Sequence, residues 1–155
     1  MNIIQTMKDL RTKLIDLLKK GYATPQIAKI AKKLKEPAST IHYNLKKLEA
    51  EKKIIGYKAV FNHKIIDEGY CTFLLINLSP DEYGDPERIT KELAIFDKIE
   101  SINIVTGDWE LLLKVRTKDQ DEYYDFIRNV ITRKGISKIK SLTTLKEIKS
   151  ESIIL

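Results

Sequence analysis

The sequence is poor in the residues that catalysis, metal binding and covalent cross-linking require. Its 155 residues include one cysteine, Cys71, which cannot form an internal disulfide bond and fits a reducing compartment such as the cytoplasm. The two histidines, His42 and His63, have no acidic or cysteine partner at the spacing of metal ligands. A glycine-rich phosphate loop is also absent. We therefore expect no enzyme active site, no metal site and no bound cofactor.

Long hydrophobic runs are missing as well. Apolar runs such as Phe73 to Ile76 are far shorter than the roughly 20 residues of a membrane-spanning helix. Between Met1 and Leu18 the chain is interrupted by charged side chains, unlike the apolar region of a signal peptide. These absences predict a protein of the cytoplasm that is neither secreted nor embedded in a membrane.

Charge is unevenly distributed along the chain. Residues 1–62 contain 14 Lys and Arg against 5 Asp and Glu, a net charge of +9, whereas residues 63–155 contain 14 against 17, a net charge of −3. This split indicates that only the N-terminal part meets a polyanion. Double-stranded DNA is favoured over an anionic membrane, because no helix of the sequence has a bulky aromatic face for insertion.

Three helices are predicted in the basic part. The first, Met7–Lys20, places on one side the leucines Leu10, Leu14, Leu17 and Leu18. The second begins at Thr24-Pro25, a capping residue followed by proline. The third, Ser39–Glu49, has one apolar face at i, i+4 and i+7, formed by Ile41, Leu45 and Leu48. Two short helices joined by a tight turn after a supporting helix predict a helix-turn-helix domain at residues 1–62.

The third helix is the candidate reading helix. Its outer face is polar, partly basic and carries one aromatic ring, which suits base edges and phosphates in the major groove. The candidate DNA-binding residues are Ser39, Thr40, His42, Tyr43, Lys46, Lys47 and Lys52. Ser39, Tyr43 and Lys46 are predicted to face the groove, and Lys47 and Lys52 the phosphate backbone. The alternative is a solvated helix face that binds nothing.

The C-terminal part has the element order of an α+β fold. After a linker at residues 63–69, residues 70–155 predict the order βαββαβ, the ferredoxin-like arrangement of an antiparallel sheet with two helices on one face. The predicted strands are Tyr70–Leu78, Ser101–Thr106, Trp109–Thr117 and Ser137–Lys149, with a two-residue hairpin at Gly107-Asp108. Helices are predicted from the cap Asp85-Pro86 onward and over Asp119–Arg133. Another strand, Ile54–Phe61, is predicted at the end of the N-terminal domain.

The first strand of this module is apolar on both faces. Its segment Phe73-Leu74-Leu75-Ile76 does not alternate between apolar and polar residues. Helices account for one face of the sheet, so the other needs a cover from outside the chain. A symmetric homodimer supplies that cover with a second copy of the same surface. It also suits DNA, because paired reading helices about 34–36 Å apart meet successive major grooves.

Two segments carry a resemblance to a known family. The segment Ser39–Tyr57, S-T-I-H-Y-N-L-K-K-L-E-A-E-K-K-I-I-G-Y, and the segment Val105–Glu110, V-T-G-D-W-E, resemble the corresponding motifs of the Lrp/AsnC (feast/famine, leucine-responsive) transcription regulators. Asn44 and Lys53 stand where that family has arginine and glycine. The resemblance covers the whole chain. It implies a dimer that assembles further to a tetramer or octamer, and an amino-acid effector bound between neighbouring subunits.

The resemblance also implies effector-binding residues. They are Gly107, Asp108 and Glu110 in the glycine turn, with Ser141 and Thr143 in the last strand. A tight glycine turn offers backbone N–H groups to a carboxylate, and a nearby acidic side chain accepts an ammonium group. The alternative is a simple hairpin turn with a solvated Glu110.

The main hypothesis is therefore a sequence-specific DNA-binding transcription regulator of Lrp/AsnC type. One competing hypothesis is a metabolite-sensing protein that acts through protein contacts. The other is an architectural DNA-binding protein with little sequence preference.

Overall fold

The computed structural model describes residues 3–82, 84–132, 135–150 and 153–154, and the chain forms two units divided between Val60 and Phe61. The segment predicted as a linker, residues 63–69, lies in the second unit. In the described part of the chain, no helix is both long enough and apolar enough to cross a membrane.

The first unit consists of three helices, α1 (Ile3–Lys19), α2 (Ile27–Leu34) and α3 (Ala38–Ala50). The turn between α2 and α3 is tight because Lys35 adopts a left-handed conformation, φ 58°, and its N–H group bonds the carbonyl of Ala31. Pro37 then precedes α3 in an extended conformation, φ −59° and ψ 142°. The predicted helix-turn-helix is confirmed. The second helix begins at Ile27 rather than at Pro25, and Gln26 is its N-cap residue.

The predicted inner face of α1 is largely wrong. Leu10, Leu14 and Leu17 are 66%, 52% and 48% exposed, while Ile15 and Leu18 are half-buried. At 3.6 residues per turn, a separation of three keeps Ile15 and Leu18 on one side, and the other leucines lie outside that narrow contact. The leucine spacing gave the periodicity of the helix correctly but not the side that is buried.

The predicted strand Ile54–Phe61 is also wrong. The described structure has only an isolated parallel bridge between Tyr57 and Tyr22 in this segment. Its β-branched and aromatic residues are suited to a strand, but a strand needs a neighbour to pair with, and the first unit is helical.

The second unit contains a four-stranded antiparallel sheet in the order β2-β3-β1-β4. The elements follow the chain as β1 (Tyr70–Leu78), α4 (Pro86–Leu93), β2 (Ile99–Ile104), β3 (Leu111–Thr117), α5 (Gln120–Phe126) and β4 (Ile136–Thr143). A short hairpin of β5 (Lys149–Ser150) and β6 (Ile153–Ile154) comes last. The predicted α+β class and the βαββαβ order are confirmed.

Several boundaries differ from those predicted. Strand β2 spans Ile99–Ile104 rather than Ser101–Thr106, and β3 begins at Leu111 rather than at Trp109. The β2–β3 connection is longer than a two-residue hairpin: Val105 N–H donates to the Glu110 carbonyl across 2.9 Å, and the intervening loop contains Gly107 at φ 115°. The helix predicted over Asp119–Arg133 is α-helical only to Phe126 and continues as a π-helix over Ile127–Ile131. The last long strand ends at Thr143 instead of Lys149.

The core lies between the sheet and its two helices. Leu74 and Ile76 of β1, with Leu111 and Leu113 of β3, are fully buried on the helix side. The helices contribute the buried residues Ile89, Leu93, Phe126 and Ile131. Asp85 fixes the start of α4 by accepting a hydrogen bond from Arg88 N–H, as the Asp-Pro pair predicts.

The opposite face of the sheet, here called the open face, retains exposed apolar groups. Phe73 of β1 pairs with Lys114 of β3 on one side and with Leu142 of β4 on the other. Phe73 is 36% exposed and Leu142 is 45% exposed. The neighbouring pair Leu75 and Leu112 is half-buried on the same face. Strand β1 is thus apolar on both sides, as its sequence predicts.

Candidate nucleic-acid interface and effector site

The outer surface of α3 is exposed at every position predicted to meet DNA. Ser39, Thr40, His42, Tyr43, Lys46 and Lys47 are all exposed, and the predicted lysine beyond the helix end, Lys52, is exposed too. Tyr43 is 69% exposed, although a tyrosine ring is largely apolar. Ile41 is buried and anchors the opposite face of the helix to the unit. The structure therefore brings the candidate residues of α3 onto one accessible surface.

The start of α3 has no side-chain cap. Its N-cap residue is Pro37, whose side chain makes no capping hydrogen bond, although its carbonyl accepts from Ile41 N–H. The first backbone N–H groups of a helix have no partner within the helix, and together with the helix dipole they favour an anion.

Asn44 is turned back onto its own helix. Its side-chain amide donates to the Thr40 carbonyl across 2.8 Å, which is a contact between successive turns. The position where the resembling family has arginine is thus occupied by a group that satisfies part of its hydrogen-bonding capacity locally.

Lys46 takes part in a group of three polar side chains, with Glu49 and Tyr57, that the sequence did not predict. Its ammonium group lies 2.8 Å from Glu49 Oε2, and the Tyr57 hydroxyl donates to Glu49 Oε1 across 3.0 Å. The hydrogen bonds from Lys46 and Tyr57 lower the pKa of Glu49, and the bond to Glu49 raises the pKa of Lys46. All three groups therefore keep their ordinary charge states at neutral pH, and the carboxylate is held from two sides.

The other exposed lysines of the first unit form two groups. Lys47 and Lys52 form no ion pair with any described residue, and Lys52 adopts a left-handed conformation, φ 55°, just beyond α3. Sequence reasoning missed a second group of exposed lysines, on α2 and at its end: Lys29, Lys32, Lys33 and Lys35. The signal was present as the charge run in that helix. Together these groups give the unit a positive surface beside α3.

The predicted effector residues lie at two ends of the sheet. Glu110 Oε2 accepts a hydrogen bond from Leu78 N–H across 3.0 Å, at the end of β1, and the ammonium of Lys138 lies 5.2 Å from the ring of Trp109 beside it. Gly107 and Asp108 are exposed in the adjoining loop. This group forms a glycine turn with one fixed carboxylate.

Ser141 and Thr143 occupy the other end. They pair with Leu74 and Thr72 of β1, and their hydroxyls contact Tyr123 at 2.5 Å and Tyr70 at 3.3 Å. Ser141 pairs with Leu74, which precedes Leu78 by four residues on β1. The two groups are therefore about 13 Å apart along the strand. Within one chain, the turn residues and the β4 hydroxyls are not brought together.

An ionic cluster on the open face was not predicted at all. The buried Arg116 guanidinium contacts Glu100 and Glu147, each at 2.8 Å, and Lys114 bonds the same two carboxylates at 2.9 Å and 3.3 Å. Burial tends to raise the pKa of Glu100 and of Glu147, but the hydrogen bonds and charges of Lys114 and Arg116 outweigh it and hold both pKa values below the ordinary range. His63 lies 3.4 Å from Glu100. The cluster joins the segment before β1, strands β2 and β3, and the segment after β4.

A basic helix-turn-helix unit joined to a ferredoxin-like unit is an arrangement that suits a DNA-binding regulator. The family model described as the Lrp/AsnC ligand binding domain matches residues 71–154. The chain belongs to the Lrp/AsnC family of transcription regulators.

Individual relatives agree with this assignment. The chain is 30% identical over 139 residues to an uncharacterized HTH-type transcriptional regulator of Pyrococcus furiosus, covering 89% of this chain and 92% of the relative. It is 28% identical over 142 residues to the regulatory protein AsnC of Haemophilus influenzae, covering 92% and 91%. In fold it is similar to a transcriptional regulator of Neisseria meningitidis solved in complex with L-methionine, with a TM-score of 0.73, 20% identity and 90% coverage of both chains. The chain is thus an HTH-type DNA-binding transcription regulator of this family.

Proposed function

We propose that α3 docks in the major groove with Ser39, Tyr43 and Lys46 facing the groove, where Ser39 and Tyr43 read base edges and Lys46 meets a phosphate at the edge of the groove. Thr40, His42, Lys47 and Lys52 contact the flanking phosphates. The observation that carries the proposal is the exposed outer face of α3, with Tyr43 at its centre, in a unit whose net charge is +9. The uncapped start of α3 and the lysines of α2 support the same docking, because both favour the phosphate backbone.

The regulator acts as a homodimer joined through the open face. Phe73 and Leu142 are exposed side by side on adjacent strands, and a second copy buries both. Burial of apolar area stabilises such an interface by roughly 25 cal/mol per Å² before the costs of association. Two units related by a two-fold axis read a palindromic operator. These dimers assemble further to a tetramer or an octamer.

An amino acid is the effector, and it binds between subunits. The glycine turn at Gly107 and the acid Glu110 belong to one end of the sheet, and Ser141 and Thr143 to the other. Since one chain does not bring these groups together, a complete site takes the turn from one subunit and the hydroxyls from another. The Neisseria regulator forms a complex with L-methionine, which supports an α-amino acid as the effector class.

Selection of bound sequences from random duplex DNA by the purified protein, with and without L-methionine, tests the whole proposal. A palindromic product is expected, with half-sites about 10 base pairs apart or a multiple of that. A pool without enriched sequences but with tight binding would favour an architectural DNA-binding protein. Absence of DNA binding at low salt, with methionine still bound, would favour a sensor that acts through protein contacts.

A further inference from the structure

The helix α3 carries one acidic residue, Glu49, close to its C-terminal end. Both oxygens of this carboxylate are engaged: Oε2 by the Lys46 ammonium at 2.8 Å and Oε1 by the Tyr57 hydroxyl at 3.0 Å. Tyr57 is itself placed by the backbone bridge to Tyr22. A carboxylate fixed from outside the helix therefore restrains the ammonium group of a lysine that faces outward from α3.

The ion pair with Glu49 competes with the phosphates of DNA for the ammonium group of Lys46. The Lys46 side chain is 64% exposed, so solvent screens the pair and a well-placed phosphate can replace the carboxylate. In loose, non-specific complexes the phosphates have no fixed position relative to α3. A fixed carboxylate with two hydrogen bonds then has the advantage over a phosphate whose position averages over many orientations.

We propose that Glu49, oriented by Tyr57, is a specificity-determining residue that withholds Lys46 from random DNA and releases it to a phosphate only when α3 is seated on its operator. The inference rests on the proposed function, in which α3 is the DNA-reading helix. Glu49 is thus a positioning residue that acts through Lys46. Its effect is to weaken binding to random DNA more than it strengthens binding to the operator.

The dependence of affinity on salt concentration tests the inference. Each phosphate contact contributes about −0.9 to the slope of log K against log salt for duplex DNA. Glu49→Gln keeps the shape of the side chain and removes its charge. We expect it to steepen the slope on random duplex by about 0.9, and to raise affinity for that duplex roughly five- to tenfold at about 0.1 M salt. The slope on the selected operator is expected to stay unchanged, because Lys46 already contacts a phosphate there.

Two further variants complete the test. Tyr57→Phe removes only the hydroxyl. It is expected to steepen the salt slope on random duplex, but by less than Glu49→Gln does. Glu51→Gln is the matched control, because Glu51 pairs with Lys53 at 2.6 Å just beyond α3 and removal of its charge alters the net charge equally. It is expected to move the operator and random slopes alike. Thermal unfolding of each variant verifies that the unit remains folded.

The outcomes separate the inference from the function on which it rests. If Lys46→Met flattens the operator slope by about 0.9 but Glu49→Gln leaves the random slope unchanged, the inference is overturned and the function stands. The inference is overturned in the same way if Glu51→Gln reproduces the pattern of Glu49→Gln. If Lys46→Met leaves both slopes unchanged, Lys46 is not a DNA contact, and both the inference and that part of the proposed function fail.

Discussion

Glu110 accepts a hydrogen bond from the backbone N–H of Leu78 across 3.0 Å, and this bond joins the glycine loop after β2 to the end of β1. The backbone donor and the side-chain acceptor are 32 residues apart in the sequence. One carboxylate oxygen of Glu110 is thus committed to the fold, and in the proposed effector site the other accepts from the ammonium group of the amino acid. The acid proposed for the effector site is therefore also part of the sheet.

Shortening this acid separates its two roles. Glu110→Asp is expected to lose the bond to Leu78, destabilise the second unit by about 1–2 kcal/mol and weaken methionine binding. Urea unfolding at fixed protein concentration and calorimetric titration with methionine measure the two effects. Asp108→Asn is the control for the effect on stability only, since Asp108 is exposed in the same loop but is itself a predicted effector-binding residue. Equal loss of stability in both variants would contradict a special role of Glu110.

Base reading and phosphate contact are expected to respond differently to mutation. Tyr43→Ala removes the exposed ring at the centre of α3 and is expected to reduce the preference for operator over random DNA, at roughly 1–3 kcal/mol per lost base contact. Lys52→Ala is expected to weaken binding to all sequences about equally, with a salt slope shallower by about 0.9. Fluorescence anisotropy over a series of salt concentrations measures both. If neither change affects operator binding, the reading surface lies elsewhere.

The open face is expected to control association. Phe73→Lys places a charge in the centre of that surface and is expected to convert the proposed dimer into monomers, which sedimentation at micromolar protein concentration detects. Ile95→Lys is the matched control, because Ile95 is 76% exposed just beyond α4, away from the open face. A variant Phe73→Lys that sediments as the wild type would exclude this face as the dimer interface.

The cluster around Arg116 predicts a dependence of stability on pH. The pKa values of Glu100 and Glu147 are lowered in the folded state, so their contribution is fully present above the ordinary glutamate pKa of about 4.3 and is lost as pH falls through the folded values. Glu147→Gln leaves Arg116 with one carboxylate and is expected to cost about 2 kcal/mol near neutral pH. The decrease in the free energy of unfolding on acidification should be smaller in Glu147→Gln than in the wild type.

Urea unfolding from pH 7 down to pH 3 checks this pattern. Glu87→Gln, an exposed glutamate in the first turn of α4, serves as the control for a general change in charge. Wild type and Glu147→Gln with parallel pH profiles would show that the cluster does not contribute through ionisation.

Local signals in the sequence determined much of the fold. Strand β1 was predicted with its observed ends, and the cap of α4 with its residues, because an apolar strand bounded by turn residues and a capping pair both involve neighbours a few positions apart. The exposed face of α3 followed from helical periodicity in the same way. The order βαββαβ then restricted the topology to the observed one.

Contacts between distant residues were decided only by the tertiary structure. The sequence could not place Tyr57 against Glu49, nor Arg116 between Glu100 and Glu147, because those partners depend on strand register and on the path of the chain after α3. The same reason explains the errors at Ile54–Phe61 and in α1: pattern supplies the tendency to form an element, but burial and pairing require a neighbour that only the folded chain provides.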